Sequence, residues 1–357
     1  MWDILYAALM SGLVNVYNYL SEHVLTCLVP AFFIAGAISA FIKKDAILKY
    51  LGPDVKKTIS YPIASVSGAV LAVCSCTILP MFAGLYKKGS GVGPATAFLY
   101  SGPAINILAI VYTANMLGYE LGLARAIAAV AMAFVIAFLM SNIFKAHDEE
   151  TSNNNNNNNS DSLEEEKNKR SWHKLGVFVL LIGILVVGTT SIPWAPKLGI
   201  IYILTVLLAV ILIYYYETSE VTEWGYEIWD LTKKILPILI VGTFIVGIIA
   251  YFLPPETFRP YLGNNSLSAS FLGSIIGAIL YMPTLLEVPI IGETFGYNSG
   301  IMGDAPALSL LLAGPSLSLP NMVVLFRIMK FKHWVAYIAI VVILSTLMGF
   351  TYGLIVG

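Results

Sequence analysis

The chain has 357 residues, of which 58% are hydrophobic and 11% charged, less than half the roughly 25% charged residues of a soluble globular protein. Twenty Lys and Arg against 21 Asp and Glu give a net charge of −1, which excludes a basic nucleic-acid binder. Three cysteines, two of them one residue apart, exclude the even-numbered disulfide framework of a small secreted domain, and the composition is that of an all-α polytopic membrane protein.

Residues 1–21 lack a basic n-region and a small-residue cleavage site, so they do not read as a removable signal peptide. Trp2, Leu5, Leu9, Leu13, Tyr17 and Leu20 fall at helical spacing opposite Asp3, Ser11, Asn15 and Asn18. That pattern predicts an interfacial amphipathic helix rather than a crossing. A spanning helix needs about 20 mostly apolar residues, and the first such stretch is 22–42, with Pro30 and Cys27. On helical spacing Cys27 reads as packing, and it is only a weak third thiol.

The next apolar stretch, 61–85, is interrupted by CSCTILP. Irregular backbone at membrane depth is tolerated where it is buried in protein or lines a cavity, so the stretch reads as a re-entrant hairpin. Its expected tip carries Cys74, Ser75 and Cys76, with Pro80 four residues further on. Thiolates are soft ligands, and two at i, i+2 on non-helical backbone can converge on a soft centre such as trivalent arsenic or Cu(I). Two thiols do not make a four-coordinate zinc site. The plain alternative is that both pack as small hydrophobes.

Crossings at 94–117 and 121–144 complete a first membrane repeat, 22–145. The motif YSGPAIN at 100–106 puts Gly-Pro inside a crossing, which predicts a kink that turns Ser101 and Asn106 towards a central path, with helix packing as the alternative. Residues 146–173 hold seven consecutive asparagines, Asn153 to Asn159, then acidic and basic runs. Such a segment buries nothing and reads as a disordered cytoplasmic linker. Two connecting crossings, 174–194 and 199–216, lead to a charged cytoplasmic loop, 217–234.

The second membrane repeat, 235–357, contains a crossing at 235–253, a hairpin at 270–292 broken by YMPTLLEVP, and crossings at 304–326 and 334–356. Eight crossings are expected in all. Hairpin 2 carries Glu287, two residues before Pro289. A carboxylate at bilayer depth is expensive and is by default functional, as a cation partner or a proton carrier. Glu293 and Asp304 lie nearer the outer loop, where Asp304 suits the start of the next helix. AGPSLSLPN at 313–321 repeats the Gly-Pro kink and brings Ser316 and Ser318 to the same path. The four histidines sit at expected helix ends or in the linker, no phosphate loop occurs, and no cofactor is expected.

With two hairpins and eight crossings, 17 of the 20 basic residues fall on one side, leaving Arg125, Lys197 and Arg259 opposite. Two full crossings in place of the hairpins would leave 11 against 9, so the positive-inside rule favours hairpins. The halves also match each other. GAVL at 68–71 pairs with GAIL at 277–280, PATAFLYSGP at 94–103 with PALSLLLAGP at 306–315, and YLG at 50–52 with YLG at 261–263. Glu287 then stands where hairpin 1 has Ile78. The topology makes the two repeats inverted, the usual plan of a secondary transporter.

Across CSCTILPMFAGLYKKGSGVGPATAFLYSGPAIN at 74–106, and again at EVP and PALSLLLAGP, the sequence resembles the predicted permease family that includes the organoarsenical efflux permeases. The resemblance covers both membrane repeats and omits the linker. It implies a multi-pass plasma-membrane permease with Cys74 and Cys76 where members that handle trivalent organoarsenicals carry thiols. The expected partners are the lipid bilayer and a small solute or soft metal or metalloid, with homo-oligomerisation left open and no nucleic acid. The leading expectation is therefore a non-enzymatic permease that exports a soft, thiol-reactive solute, with Glu287 as coupling group. A permease for a non-thiophilic solute is the alternative, and a membrane thiol oxidoreductase using Cys74 and Cys76 is the less favoured one.

Overall fold

The structure, a computed structural model, describes residues 2–21, 29–41, 50–52, 55–71, 75–145, 169–189, 194–252, 260–280, 282 and 286–356, and all regular structure among them is helical. The first half contains α1 (Trp2–Tyr19), α2 (Val29–Phe41), α3 (Lys57–Leu71), α4 (Ser75–Lys87), α5 (Val92–Ala104), α6 (Ile107–Leu117) and α7 (Tyr119–Ile143). After α8 (Lys169–Thr189) and α9 (Trp194–Tyr215) come α10 (Thr218–Phe252), α11 (Leu267–Ile279), the short α12 (Glu287–Pro289) continued by a π-turn over Ile290–Thr294, α13 (Asp304–Ala313), α14 (Leu319–Ile328) and α15 (Phe331–Val356). The expected linker, 146–173, lies outside the described residues as far as 168.

By length and composition α7, α15 and the Pro196–Tyr215 part of α9 are each able to cross a bilayer alone, and α5 with α6 forms a further span bent by 43°. The bend has a local cause. Pro103 removes a backbone donor within α5, and Asn106 restarts the chain as the cap of α6, its side chain accepting from the amides of Leu108 at 3.0 Å and Ala109 at 3.4 Å. The second Gly-Pro behaves alike: α13 stops at Ala313 and α14 starts at Leu319. Each Gly-Pro motif therefore ends a helix inside the expected crossing, as its proline predicts.

Positions that match in sequence make matching contacts. α3 packs on α5 as α11 packs on α13, and α5 on α7 as α13 on α15. A methyl group at Gly68 would lie 2.9 Å from the Phe98 carbonyl oxygen and 3.0 Å from the Gly102 nitrogen. At Gly277 it would lie 3.1 Å from the Leu310 carbonyl oxygen and 3.0 Å from the Gly314 nitrogen. Small residues thus bring α3 against the kinked α5 and α11 against α13. Across the halves, α7 meets α15, α2 meets α10, α6 touches α12 and α14 touches α4. The core between them is filled by Ala129, Met132, Ala133 and Ile136 of α7 and by Leu308, Leu311 and Leu312 of α13.

One expectation about an element changes. The charged stretch 217–234 is not a loop: it is helical and continuous with the following apolar stretch in the 35-residue α10. A run without proline or glycine breaks between Glu217 and Leu236, apart from Gly225, supports unbroken helix. The contacts of α1 also show which of its faces meets protein. Ser11 and Asn15 face protein, donating to the carbonyls of Gly247 and Thr243 on α10 at 2.9 Å each, while Tyr6, Leu13 and Tyr17 are exposed. Beside lipid, the apolar side is the outer one, and small or polar residues make the helix contact.

Candidate functional site

Among the described residues the most deeply buried charged groups are an arginine and a glutamate from opposite halves. α7 begins at a sharp turn in which Gly118 has φ +108°, a conformation glycine adopts without side-chain strain. The Ala-rich helix that follows carries Arg125 inward, about 9 Å below its start at 1.5 Å per residue. Glu287 opens α12, on the second limb of hairpin 2. Both side chains are fully buried, and Arg125 Nη2 lies 3.4 Å from Glu287 Oε2.

The surroundings hold this pair on one side and leave it open on the other. Arg125 Nη1 donates to Thr113 Oγ1 of α6 at 2.8 Å, and Thr113 in turn donates to the Ala109 carbonyl at 2.7 Å. Arg125 Nε and Glu287 Oε1 have no hydrogen-bond partner among the described residues. The carboxylate rests against the second helix break: a methyl group at Gly314 would lie 2.5 Å from Oε1. Gly102, the matching residue of the first break, faces Ile78, which a methyl group would approach to 2.7 Å. The same contact is thus apolar in one half and charged in the other. α13 has ten residues, so Gly314 lies about 15 Å from the start of that helix.

Tyr100 of α5 closes the group from the first half. Its hydroxyl lies 3.4 Å from the Leu312 carbonyl oxygen and from Met132 Sδ. The amide of Ser316, which helical geometry would direct to Leu312, bonds to Ala313 instead. The break therefore frees the carbonyl that Tyr100 faces. Beyond it Ser316, Ser318 and Asn321 are buried, and their side chains have no hydrogen-bond partner among the described residues.

The residues singled out from the sequence divide three ways. Glu287 lies at the interior site, and Ser316 and Ser318 lie in the second break beside it. Ser101 and Asn106 have structural duties: Ser101 is buried, donates to the Phe98 carbonyl at 3.2 Å and packs on Gly68, and Asn106 is the α6 cap. At hairpin 1, Ser75 opens α4, so Cys76 lies on helical backbone and not on an irregular tip. Pro80, also in α4, is buried and leaves the Cys76 carbonyl without its helical donor. Cys74, Cys27 and the Cys76 side chain lie outside what the structure describes. Among the described residues no group of three or more His, Cys, Asp or Glu converges as a metal site.

Charge counting sets Arg125 on the side opposite most basic residues, and the structure shows that its side chain is fully buried. Its place four residues into the expected crossing 121–144 was the signal, since an ionisable group within a spanning segment is a functional candidate in its own right. Thr113 and Tyr100 gave no signal, because one hydroxyl in an apolar helix is ordinary. A second charged cluster lies at the base of hairpin 1. Lys87 bonds Glu227 of α10 at 2.8 Å, and Ser39 of α2 donates to the same carboxylate at 2.9 Å. Partial burial works against the Glu227 charge, but the hydrogen bonds from Lys87 and Ser39 outweigh it and hold the carboxyl below its ordinary value of 4.5.

A family model described as a predicted permease, ArsP_1, matches residues 9–354. The chain belongs to the ArsP_1 family of predicted permeases. This permease is 38% identical to the UPF0718 protein MJ0584 of Methanocaldococcus jannaschii over 366 residues, covering 97% of the chain and 98% of that protein. It is 22% identical to the UPF0718 protein YraQ of Escherichia coli over 293 residues, covering 82% of the chain and 66% of YraQ. No solved structure matches the permease. Membership of a permease family agrees with a transporter rather than an enzyme.

Proposed function

We propose that the permease is a secondary transporter of the plasma membrane, built from two inverted repeats, in which the Arg125–Glu287 pair couples solute movement to protons. The observation that carries this reading is the fully buried ion pair between α7 of one half and hairpin 2 of the other, set against a helix break. Removing charge from water is expensive, and a buried pair held by a single 3.4 Å contact recovers that cost poorly. A loosely satisfied pair between moving halves suits a group that gains and loses a proton as the halves separate. The matched contacts of Gly68 with Gly277, and of Gly102 with Gly314, support two equivalent halves that exchange which side of the centre is open.

The proposed cargo is a soft, thiol-reactive solute, exported with Cys74 and Cys76 as transient ligands at hairpin 1. Two thiolates release cargo by exchange, whereas a closed four-ligand site would trap it. A non-thiophilic cargo is favoured by one observation, that among the described residues the interior site and the second break leave side-chain groups of Arg125, Glu287, Ser316, Ser318 and Asn321 without hydrogen-bond partners, all of them nitrogen or oxygen ligands. Flux of a trivalent arylarsenical into inverted membrane vesicles under an imposed pH gradient tests both. We expect Glu287→Gln to abolish the response to the gradient and Cys74→Ser/Cys76→Ser to abolish flux of the arsenical. Gradient-driven flux that is unchanged in Glu287→Gln overturns the coupling role, and unchanged flux in the double cysteine variant removes the thiol site.

A further inference from the structure

We infer that the permease binds its cargo as a small anion on the Arg125 guanidinium, with one proton taken up by Glu287, so that each anion crosses together with a proton and without net charge. This rests on reading the Arg125–Glu287 pair as the coupling centre.

The geometry supplies the site. Nε and Nη2 form one edge of a guanidinium, the edge that receives an oxyanion through two parallel hydrogen bonds. In Arg125, Nη1 is committed to Thr113, Nη2 has one 3.4 Å contact with Glu287, and Nε has no partner among the described residues. The edge is therefore occupied by half a carboxylate, and Glu287 Oε1 points instead towards Gly314. Glu287 stands where a free anion would bind with both bonds made.

Charge balance fixes the class of cargo. The groups facing Glu287 are Arg125 from α7 and Tyr100 from α5, with Tyr112 the titratable residue on α6 and Glu293 on the π-turn. Arg125 is fully buried and Glu293 is exposed. Among the described residues the fully buried charges thus sum to zero when the pair is formed. An anion that replaces the carboxylate on Arg125 restores zero only if Glu287 accepts a proton. A cation that replaced the guanidinium on Glu287 would need Arg125 to give up its proton, which arginine does not do in proteins. The pair can exchange its negative member for an external ion, and not its positive one. Soft cargo that reaches this site is accordingly an oxyanion or a weak acid, not a metal cation.

The test uses purified full-length protein in detergent, with acetate and nitrate as probes, titrated calorimetrically in buffers of different protonation enthalpy. We expect wild-type binding to be accompanied by uptake of close to one proton per anion, the affinity falling about tenfold per pH unit where Glu287 is ionised. Glu287→Gln should bind the same anions tightly at every pH with no proton uptake, and Arg125→Gln should not bind them. Anion binding by wild type without proton uptake, binding retained in Arg125→Gln, or no binding of either probe to wild type and Glu287→Gln overturns the inference. If a variant does not fold, the proton count of the wild type decides alone. Glu287→Gln that loses gradient-driven flux while no anion binds would sink this inference and leave the coupling role standing; unchanged flux would sink both.

Discussion

Arg125 and Glu287 illustrate how a single side chain can be both costly and kept. Replacing one member strands the other as an unpaired buried charge, so Arg125→Gln should destabilise the fold by about 3–5 kcal/mol. Glu287→Gln should cost a similar amount, but Arg125→Met/Glu287→Leu should recover most of it, because two apolar side chains leave no charge to desolvate. Thermal unfolding of the detergent-solubilised single and double variants checks this; a double variant less stable than either single one would mean that the pair holds the fold together. Glu287 was legible in the sequence, since a carboxylate flanked by Leu286, Val288 and Pro289 has no ordinary reason to be there. Arg125 was legible only as a charge near the start of the expected crossing 121–144, and nothing in the sequence pointed to its partner. Only the fold reveals that the helix carries it two turns inward to a partner 162 positions away.

At the scale of elements, both Gly-Pro breaks were legible because proline acts locally: the missing donor disrupts a helix whatever surrounds it. What hydropathy could not show is which face of α1 meets protein, since in lipid the apolar side carries no inward preference. It also could not show that 217–234 continues as helix, because charge was taken as the mark of a loop. That helical extension lets α10 reach hairpin 1 through Glu227 and Lys87. Because the Glu227 carboxyl lies below its ordinary value in the fold, its contribution is present above 4.5 and is lost as pH falls through the lowered value. Lys87 is half exposed, so screening limits the contact to about 0.5 kcal/mol. Between about pH 6 and about pH 3 the stability lost by wild type should exceed that lost by Glu227→Gln by this amount. Equal losses in a pH series of thermal unfolding would show that the contact does not stabilise the fold.

For the whole molecule, the asparagine run at 153–159 separates two halves that each contain a helix interrupted at a Gly-Pro motif. Because a run of polar asparagines is not expected from its composition to bury surface, cutting the chain there should be tolerated: fragments 1–156 and 157–357, co-expressed, should assemble and co-purify, and failure to do so would show that the junction is needed for folding. The halves are matched in their glycine contacts and unmatched in one place, where Gly102 meets Ile78 and Gly314 meets Glu287. Two identical halves would make the inward-open and outward-open states equal in energy, by symmetry. In the inverted arrangement proposed above, a carboxylate present in one half alone lifts that degeneracy and gives the empty molecule a preferred resting side.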